Sequence, residues 1–497
     1  MNAPLRRVGI VVLALFALLF INLNWVQAYK ADDYRTSQYN GRVLISDYQR
    51  QRGVIADDKG AVLARSVATK GQLKYLRTYP LGEAFAPVTG YRPVNLAATG
   101  IEHAEDDYLA GNSDSQALDR FWDLFSDTKK PGGNVFLTIN KNVQQTAYDQ
   151  LEHNGLGVKE GAAVAIDPST GKILALASFP SYDPNPLASH DAKTAEDAFT
   201  SLDKADNQPL VNHATQDTYP PGSTFKVVVS AAALSTKQYT PQSVIPAGSF
   251  YTPVPGGGYT MKNDVPSICP TATVTLISAL TQSCNTGFAQ LGVKLGSEVL
   301  RNQAQAFGFG DDSLTLAGKS MGVAASETGS MLTPSGNDDP NHVAQSSIGQ
   351  YEVRMTPLQG AMIAASVANG GVEMRPYLID HTQGPDLTID YQAQPQALRT
   401  PISGDVAKQL QEMMISVVDH GTGTRAQIQG YQVGGKTGTA ENSAKTHGWF
   451  IGFAMKDGKP VAAVAVLLAN AGDAGSRQAT EIGGEILKAA IAAQGGK

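Results

Sequence analysis

The stretch AAVAIDPSTGKILALAS, residues 162–178, decides the fold class. Two apolar runs flank the turn PSTGK, and this pattern predicts a β-hairpin. The segment WFIGFAMKDGKPVAAVAVLL, residues 449–468, repeats the pattern near the C-terminus. Because both strands of each hairpin are apolar, we expect a sheet that is covered on both faces. Helical stretches lie between the hairpins, such as Pro357–Asn369, and Glu481–Ala493 closes the chain. The sequence therefore predicts an α+β domain with a mainly antiparallel sheet.

Length and composition limit the classes of function. The chain has 497 residues, which favours two or three domains, and its net charge is −6. No basic run is long enough to follow a phosphate backbone, so we expect no nucleic acid partner. None of the eight histidines stands at metal-ligand spacing with a second ligand. We therefore expect no metal site and no cofactor.

The N-terminus has the pattern of an export signal. Arg6 and Arg7 precede an unbroken apolar run, Val8–Ile21. Asn22 and Asn24 shorten the apolar core, and the stretch 26–28 resembles a small-residue cleavage site. Cleavage after export is therefore an open alternative. We predict a retained anchor, because Trp25 and Tyr29 suit the membrane interface and the arginines would hold the start inside the cell. Residues 1–7 would then be cytoplasmic and residues 8–28 transmembrane.

The remaining chain divides at a polar break. The segment RGVIADDKGAVLARS, residues 52–66, predicts two short strands around a turn, and a helix is predicted near Glu102–Leu109. The Pro/Gly-rich stretch DTKKPGGN, residues 127–134, is the predicted boundary. We therefore expect an N-terminal non-catalytic module, residues 29–132, and a second domain, residues 133–497.

Two cysteines, Cys269 and Cys284, are the only ones in the chain. The first lies in a Gly/Pro-rich segment, Pro246–Pro270, which is predicted to be a loop at the rim of a cleft. Export permits a disulfide between the two cysteines, and the short loop between them would close easily. Two buried free thiols are the alternative.

The stretch PPGSTFKVVV, residues 220–229, places Ser223 three positions before Lys226. This spacing puts both side chains on one helical face, within reach of each other, and the apolar surroundings predict a buried helix. Burial disfavours a charged lysine, which makes Lys226 a candidate base, and the first helical turn offers N–H groups to an oxyanion. However, Ser-x-x-Lys occurs about once by chance in such a length. A second copy, SDTK at 126–129, lies in the polar break.

Two further motifs change the interpretation. TQSCNTG contains Ser283, Cys284 and Asn285, and VGGKTGTAEN contains Lys436, Thr437, Gly438 and Thr439. The order Ser-x-x-Lys, Ser-x-Asn, Lys-Thr-Gly is that of penicillin-binding proteins and serine β-lactamases. The simpler alternatives are a helix cap for Ser283 and a solvated strand position for Lys436. We expect Cys284 to be a packing or disulfide residue.

With these motifs the chain resembles the class B penicillin-binding proteins, and within them the subgroup called penicillin-binding protein A. The stretches RGVIADDKG (52–60) and IGQYEVRMTPLQ (348–359) are also similar to that family. Asp58 departs from the family signature, which usually has arginine, and we expect it to loosen the N-terminal module. The resemblance implies a transpeptidase fold with an all-helical subdomain beside the sheet.

The resemblance also implies the reaction. Ser223 would attack the penultimate D-alanine of a peptidoglycan stem peptide and form an acyl-enzyme. Lys226 would accept the serine proton, and Ser283 would relay it to the departing D-alanine. Asn285 would hold the substrate amide and Lys226. The backbone N–H groups of Ser223 and Thr439 would form the oxyanion hole.

The third motif would bind the substrate chain. Lys436, Thr437 and Thr439 would bind the terminal carboxylate, and Gly438 would let the substrate backbone approach the strand.

The partners that the resemblance implies are stem peptides, β-lactams that bind covalently at Ser223, and the inner membrane through residues 8–28. The division or elongation machinery and a separate glycosyltransferase are further expected partners. Two alternatives use the same motifs: a D,D-carboxypeptidase or β-lactamase-type hydrolase, and a division scaffold without catalysis.

Overall fold

The computed structural model describes residues 2–30, 45, 47–113, 116, 130–318, 321–333, 335–441 and 445–495. The SDTK copy at 126–129 and Asn442 lie outside the described residues. The N-terminal helix α1 (Asn2–Asn24) continues as a π-helical turn, Trp25–Tyr29. Its span Arg6–Tyr29 is long and apolar enough to cross a membrane, and none of its most apolar window is buried. The helix includes residues 8–28, and its retention as an anchor stays a prediction.

The rest of the chain alternates strands and helices. The strands are β1 (Ile55–Ala56), β2 (Val62–Ala68), β3 (Tyr75–Thr78), β4 (Asn134–Leu137), β5 (Gly161–Ile166), β6 (Ile173–Phe179), β7 (Val244–Pro246), β8 (Phe250–Tyr251), β9 (Met261–Lys262), β10 (Thr273–Thr275), β11 (Glu373–Met374), β12 (Ile379–Gln383), β13 (Ile389–Gln392), β14 (Ala397–Arg399), β15 (Gln432–Ala440), β16 (His447–Lys456) and β17 (Lys459–Leu468). The helices are α2 (Ala86–Thr89), α3 (Gly100–Ala104), α4 (Asp106–Ala110), α5 (Lys141–Glu152), α6 (Ala192–Asp203), α7 (Lys226–Ser235), α8 (Leu276–Gln282), α9 (Asn285–Leu295), α10 (Ser297–Ala306), α11 (Pro340–Ser346), α12 (Pro357–Ala368), α13 (Gly404–His420) and α14 (Gly475–Ala493).

The two predicted apolar hairpins form the central sheet. β5 pairs with β6 and β16 pairs with β17, and β17 joins the hairpins by pairing antiparallel with β5. The full order is β15-β16-β17-β5-β6. Gly360 of α12 packs against Ile451, whereas Gly483 of α14 packs against Phe450. Because consecutive strand residues point to opposite faces, these two helices cover the two faces of the sheet, as expected.

A second sheet connects the N-terminal module to the rest of the chain. Its order is β13-β12-β4-β1-β2-β3, and β1 and β2 form the predicted hairpin. β4 pairs parallel with β1 and antiparallel with β12. Strands from both sides of the predicted boundary at residue 132 therefore share one sheet, and the boundary itself stays a prediction.

Some elements differ from the sequence expectations. The helix predicted near Glu102–Leu109 is two short helices, α3 and α4, because the Arg52 guanidinium donates to the carbonyl oxygens of Glu102 and Asp106 at 2.7 and 3.2 Å. The last helix begins at Gly475 rather than at Glu481, and Gly475 lies directly against Gly448 of β16. A larger residue at either glycine would separate the helix from the strand.

Asp58 does not loosen its turn. Its carboxylate accepts two hydrogen bonds from Asn140 Nδ2, at 2.9 and 3.1 Å, and its backbone N–H donates to Ile139. Asn140 also caps the start of α5 by accepting from two backbone N–H groups. The turn between β1 and β2 is therefore fastened to the second domain.

A helical layer stands beside the central sheet. Its centre is α7, which is buried from Lys226 to Leu234 and contacts α8, α9, α10 and α13. The 3₁₀ turn Gly222–Phe225 leads directly into α7 and packs against β15. This contact brings Ser223 to the seam between the helical layer and the sheet.

Candidate active site

Ser223 lines a groove of about 310 Å³. Its side chain is 7% exposed. Gly222 before it has φ +52°, and a Cβ there would collide with the carbonyl of Thr439. Glycine is therefore required where the serine turn meets β15. The groove is lined by Ser223, Asp264, Ile268, Gln282, Ser283, Thr422, Thr437, Thr439, Asp473, Ser476 and Arg477.

Lys226 is fully buried behind Ser223. Its Nζ contacts the carbonyl oxygen of Ser283 at 2.9 Å, Asn285 Oδ1 at 2.6 Å and Ser283 Oγ at 3.3 Å. Burial lowers the pKa of Lys226 well below its ordinary value, the charge of Lys436 lowers it further, and Asp264 opposes the change. A neutral amine has two N–H donors, which match the two carbonyl acceptors, and one lone pair, which can accept from the hydroxyl.

Lys226 Nζ has its hydrogen-bond partners in the second motif. Within the described residues, no hydrogen bond joins Ser223 Oγ to Lys226 Nζ. The lysine instead points toward Ser283 and Asn285. Hydrogen bonds of this kind are often long without substrate, so the geometry leaves Lys226 as a candidate base.

Ser283 follows α8 in a left-handed conformation with φ +64°. This conformation is uncommon for a residue with a Cβ and is concentrated at functional sites. It turns the chain between α8 and α9 so that Oγ lies 3.0 Å from Lys436 Nζ and 3.3 Å from Lys226 Nζ. The residue does occupy a helix C-cap position, as the simpler interpretation of the sequence supposed, but its hydroxyl bridges two buried amines.

Lys436 is fully buried on β15, not solvated. Its Nζ donates to Ser283 Oγ and to the carbonyl oxygen of Thr437, at 3.0 and 2.9 Å. Burial lowers the pKa of Lys436 to about 7, against the opposing effect of Asp264. Thr437 Oγ1 is held 2.6 Å from Thr422 Oγ1, a partner that no sequence motif indicated.

Gly438 has a structural reason that differs from the sequence expectation. A Cβ at this position would come within 2.8 Å of Pro221 O, 2.9 Å of Thr224 Cγ2 and 3.0 Å of Trp449 Cβ. The missing side chain therefore lets β15 approach the serine turn, whatever it does for a substrate. Trp449 Nε1 donates to Pro220 O at 2.9 Å and fastens the same turn from the neighbouring strand.

Asn285 is a bridge between Lys226 and the loop that precedes α8. Its Oδ1 contacts Lys226 Nζ, and its Nδ2 donates to Asp264 Oδ1 at 2.8 Å and to Lys262 O at 3.3 Å. Both amide protons are thus already bound by the loop. No sequence motif indicated Asp264, because a single acid in a Gly/Pro-rich loop carries no signal. The loop does lie at the rim of the groove, as predicted, through Asp264 and Ile268.

Cys269 and Cys284 are paired in the structure, with their Cα atoms 6.0 Å apart. Both side chains are buried. Because Cys284 separates Ser283 from Asn285, the pair fastens the end of the loop to the middle of the second motif.

The family follows from comparison with known proteins. Residues 161–488, about two thirds of the chain, match the family described as the penicillin binding protein transpeptidase domain. The chain belongs to this transpeptidase family. Residues 52–135 match a second family, described as the penicillin binding protein A dimerisation domain. The family resemblance noted from the motifs is therefore confirmed, and so is the fold class.

Relatives within the transpeptidase family match over nearly the whole length. The peptidoglycan D,D-transpeptidase PbpA of Mycolicibacterium smegmatis is 40% identical over 499 residues, which is 99% of both chains. The crystal structure of PBPA from Mycobacterium tuberculosis is 40% identical, with a TM-score of 0.83, and the match covers 89% of this chain and 100% of that one. The penicillin G acyl-enzyme complex of the same protein is 39% identical with a TM-score of 0.81, over 89% of this chain and 100% of that one.

Proposed function

We propose that this chain is a serine-type peptidoglycan D,D-transpeptidase that cross-links stem peptides ending in D-Ala-D-Ala and is acylated by β-lactams. The observation that carries the proposal is that two buried amines, Lys226 and Lys436, share the hydroxyl of Ser283, which lines the same groove as Ser223. The names of the relatives and their acyl-enzyme complexes support the same reaction.

In the first half-reaction, Ser223 Oγ attacks the carbonyl of the penultimate D-alanine and its proton passes to Lys226. The peptide bond then breaks, the acyl group stays on Oγ, and the proton returns through Ser283 to the amine of the departing D-alanine. Ser283 is suited to this relay, because its hydroxyl lies between the two amines. The backbone N–H groups of Ser223 and Thr439 stabilise the oxyanion.

In the second half-reaction, the amine of a neighbouring stem peptide attacks the ester. A new amide bond forms, Ser223 Oγ leaves, and the proton lost by the amine restores the hydroxyl. Lys436, Thr437 and Thr439 bind the terminal carboxylate of the donor during the first half. A hydrolase would use water in place of the amine.

We also propose that α1 is a retained anchor, with residues 1–7 in the cytoplasm and the catalytic groove outside. The apolar length of Arg6–Tyr29 and the arginine pair at its start support this orientation. Glycan strands would come from a separate glycosyltransferase.

Labelled penicillin tests the proposal. The full chain in detergent is incubated with the label, digested and mapped by mass spectrometry, with Ser223→Ala as the control. We expect one modified peptide that contains residue 223 and none in the variant. Burst labelling followed by very slow turnover favours the transpeptidase, whereas rapid turnover supports a β-lactamase. Folded wild-type protein that takes up no label contradicts the proposal.

A further inference from the structure

We propose that Asp264 is a positioning residue of the transpeptidase reaction: it holds the Asn285 amide so that the amide oxygen faces Lys226. This inference rests on the proposed function and deepens it. None of the three sequence motifs contains Asp264, which reaches the groove from the loop between β9 and β10.

Asp264 acts on the orientation of the Asn285 side-chain amide. Asn285 presents Oδ1 to Lys226 Nζ at 2.6 Å and Nδ2 to Asp264 Oδ1 at 2.8 Å. A carboxylate only accepts hydrogen bonds, so Asp264 selects the NH₂ end of the amide. The reversed amide would place its oxygen against the carboxylate and its N–H donors against the lysine amine. Asp264 at 2.8 Å, with the longer contact to the carbonyl oxygen of Lys262 at 3.3 Å, therefore fixes which end of Asn285 meets the candidate base.

The loop that carries Asp264 is held in place. Asn263 Nδ2 donates to Gly248 O and Ile268 O at 3.0 and 2.9 Å, and Asn263 Oδ1 accepts from the backbone N–H of Thr286 at 3.1 Å. Five residues after Asp264, Cys269 is paired with Cys284. The carboxylate is exposed at the mouth of the groove, but its backbone is fastened on both sides to the start of α9.

Asp264 also acts on the two buried amines through its charge. The charged groups around the buried amines are Lys226 on α7, Lys436 on β15, Asp264 on the loop, and Asp473 and Arg477 at the start of α14. Among the described residues, Asp264 is the carboxylate that acts on both lysines, and it opposes the loss of their protons. Removing its charge lowers the pKa values of both amines.

The test is a series of variants at one position, Asp264→Asn, Asp264→Ala and Asp264→Glu, measured in the full chain. The second-order rate of acylation by labelled penicillin is recorded from pH 5 to pH 10. We expect Asp264→Ala to slow acylation at pH 8 by about tenfold or more, since a charge-assisted hydrogen bond is lost. Asp264→Glu should recover part of the rate, because it restores the charge.

The pH profile separates this role from a merely structural one. In Asp264→Asn the whole profile should move to lower pH by about half a unit or more, because the carboxylate charge is gone. Asp312→Asn, which removes an exposed charge outside the groove, should leave the profile in place. Thermal melting curves check that each variant is folded.

Two results would overturn the inference: profiles for Asp264→Asn and the wild type that superimpose, or Asp264→Ala acylated at the wild-type rate. A wild-type chain that penicillin does not acylate is a different failure, since it removes the proposed function itself.

Discussion

Two clusters of buried ionisable groups respond to burial in opposite ways: one keeps its charge and the other loses it more easily. In the N-terminal module, Glu102 is fully buried and accepts hydrogen bonds from Arg52 and Arg77. Burial alone would raise the pKa of Glu102, but Arg77 and Arg52 together lower it to about 2. At the candidate active site, Lys226 and Lys436 are equally buried, but their hydrogen-bond partners are hydroxyl and carbonyl oxygens, and burial lowers both pKa values.

The difference separates a structural device from a chemical one. A buried acid between two guanidinium groups stays charged, and breaking the set leaves charges unpaired in the interior. A buried amine without a carboxylate partner inside the protein loses its proton readily and can act as a base near neutral pH. We therefore expect substitutions in the first cluster to change stability and substitutions in the second to change the reaction.

The largest expected effect is at Lys226. Lys226→Met keeps the volume and the apolar surroundings but removes the base, so acylation of Ser223 should fall by about 1,000-fold. Because a buried amine is also costly, the melting temperature should stay the same or rise. The measurement is the rate of penicillin labelling alongside a thermal melt, with the exposed Lys237→Ala as the matched control. Unchanged labelling in a folded Lys226→Met variant would rule out this lysine as the base.

The converse variant is Glu102→Gln. It leaves Arg77 without its counter-charge and Arg52 with only the half-exposed carboxylate of Asp106, 2.7 Å away, so the free energy of unfolding should fall by about 3–5 kcal/mol. Penicillin labelling of the folded fraction should keep its wild-type rate. Denaturant titration of both proteins measures the first quantity.

The pH dependence of stability should differ in the same pair. The folded-state pKa of Glu102, about 2, lies below its ordinary value of 4.5, so its contribution is present above about pH 5 and is lost as the pH falls toward 2. Wild-type protein should lose stability over that acid range more steeply than Glu102→Gln. Parallel acid titrations of the two would contradict the assignment.

A smaller effect is expected where β15 packs against the serine turn. In Gly438→Ala the new Cβ would press on Pro221 and Thr224, push β15 away from the serine turn and slow acylation by about 10- to 100-fold. Gly404→Ala, where a Cβ meets only ordinary contacts, should be neutral. Equal labelling rates for both variants would show that the close approach of β15 is unnecessary.

The sequence predicted the elements that repeat a simple pattern and missed the contacts between distant segments. The helix Pro357–Asn369 and both apolar hairpins were predicted with nearly correct bounds, because periodicity is a local property. The break between α3 and α4 depends on Arg52, and the link from Asn285 to Asp264 joins a motif to a loop. Such contacts follow from tertiary packing, which periodicity does not report.

The site shows the same limit. The three motifs identified residues that the structure gathers around one groove. The substrate role that the resemblance implied for Gly438 stays a prediction, and its contact with the serine turn was not predicted. They also gave no signal for Thr422, whose hydroxyl meets that of Thr437. The roles of the individual site residues stay predictions that the variants above examine.

The smallest expected effect is at Cys269 and Cys284. Intact mass without reductant should be about 2 Da below the fully reduced value, since one disulfide removes two hydrogens. Replacing both cysteines by serine should slow acylation by less than about tenfold, because Asn263 also holds the loop. A reduced mass in the native protein would favour two free thiols.

The pH dependence of acylation tests the central claim, a neutral buried amine beside Ser223, most directly. The rate of labelling by penicillin is measured with the full chain between pH 5 and pH 10.5. Because burial lowers the pKa of Lys226 well below 10.5, we predict that the rate stops rising before the pH range in which an ordinary lysine loses its proton. A rate that still climbs between about pH 9 and pH 10.5, where an ordinary lysine loses its proton, would contradict it.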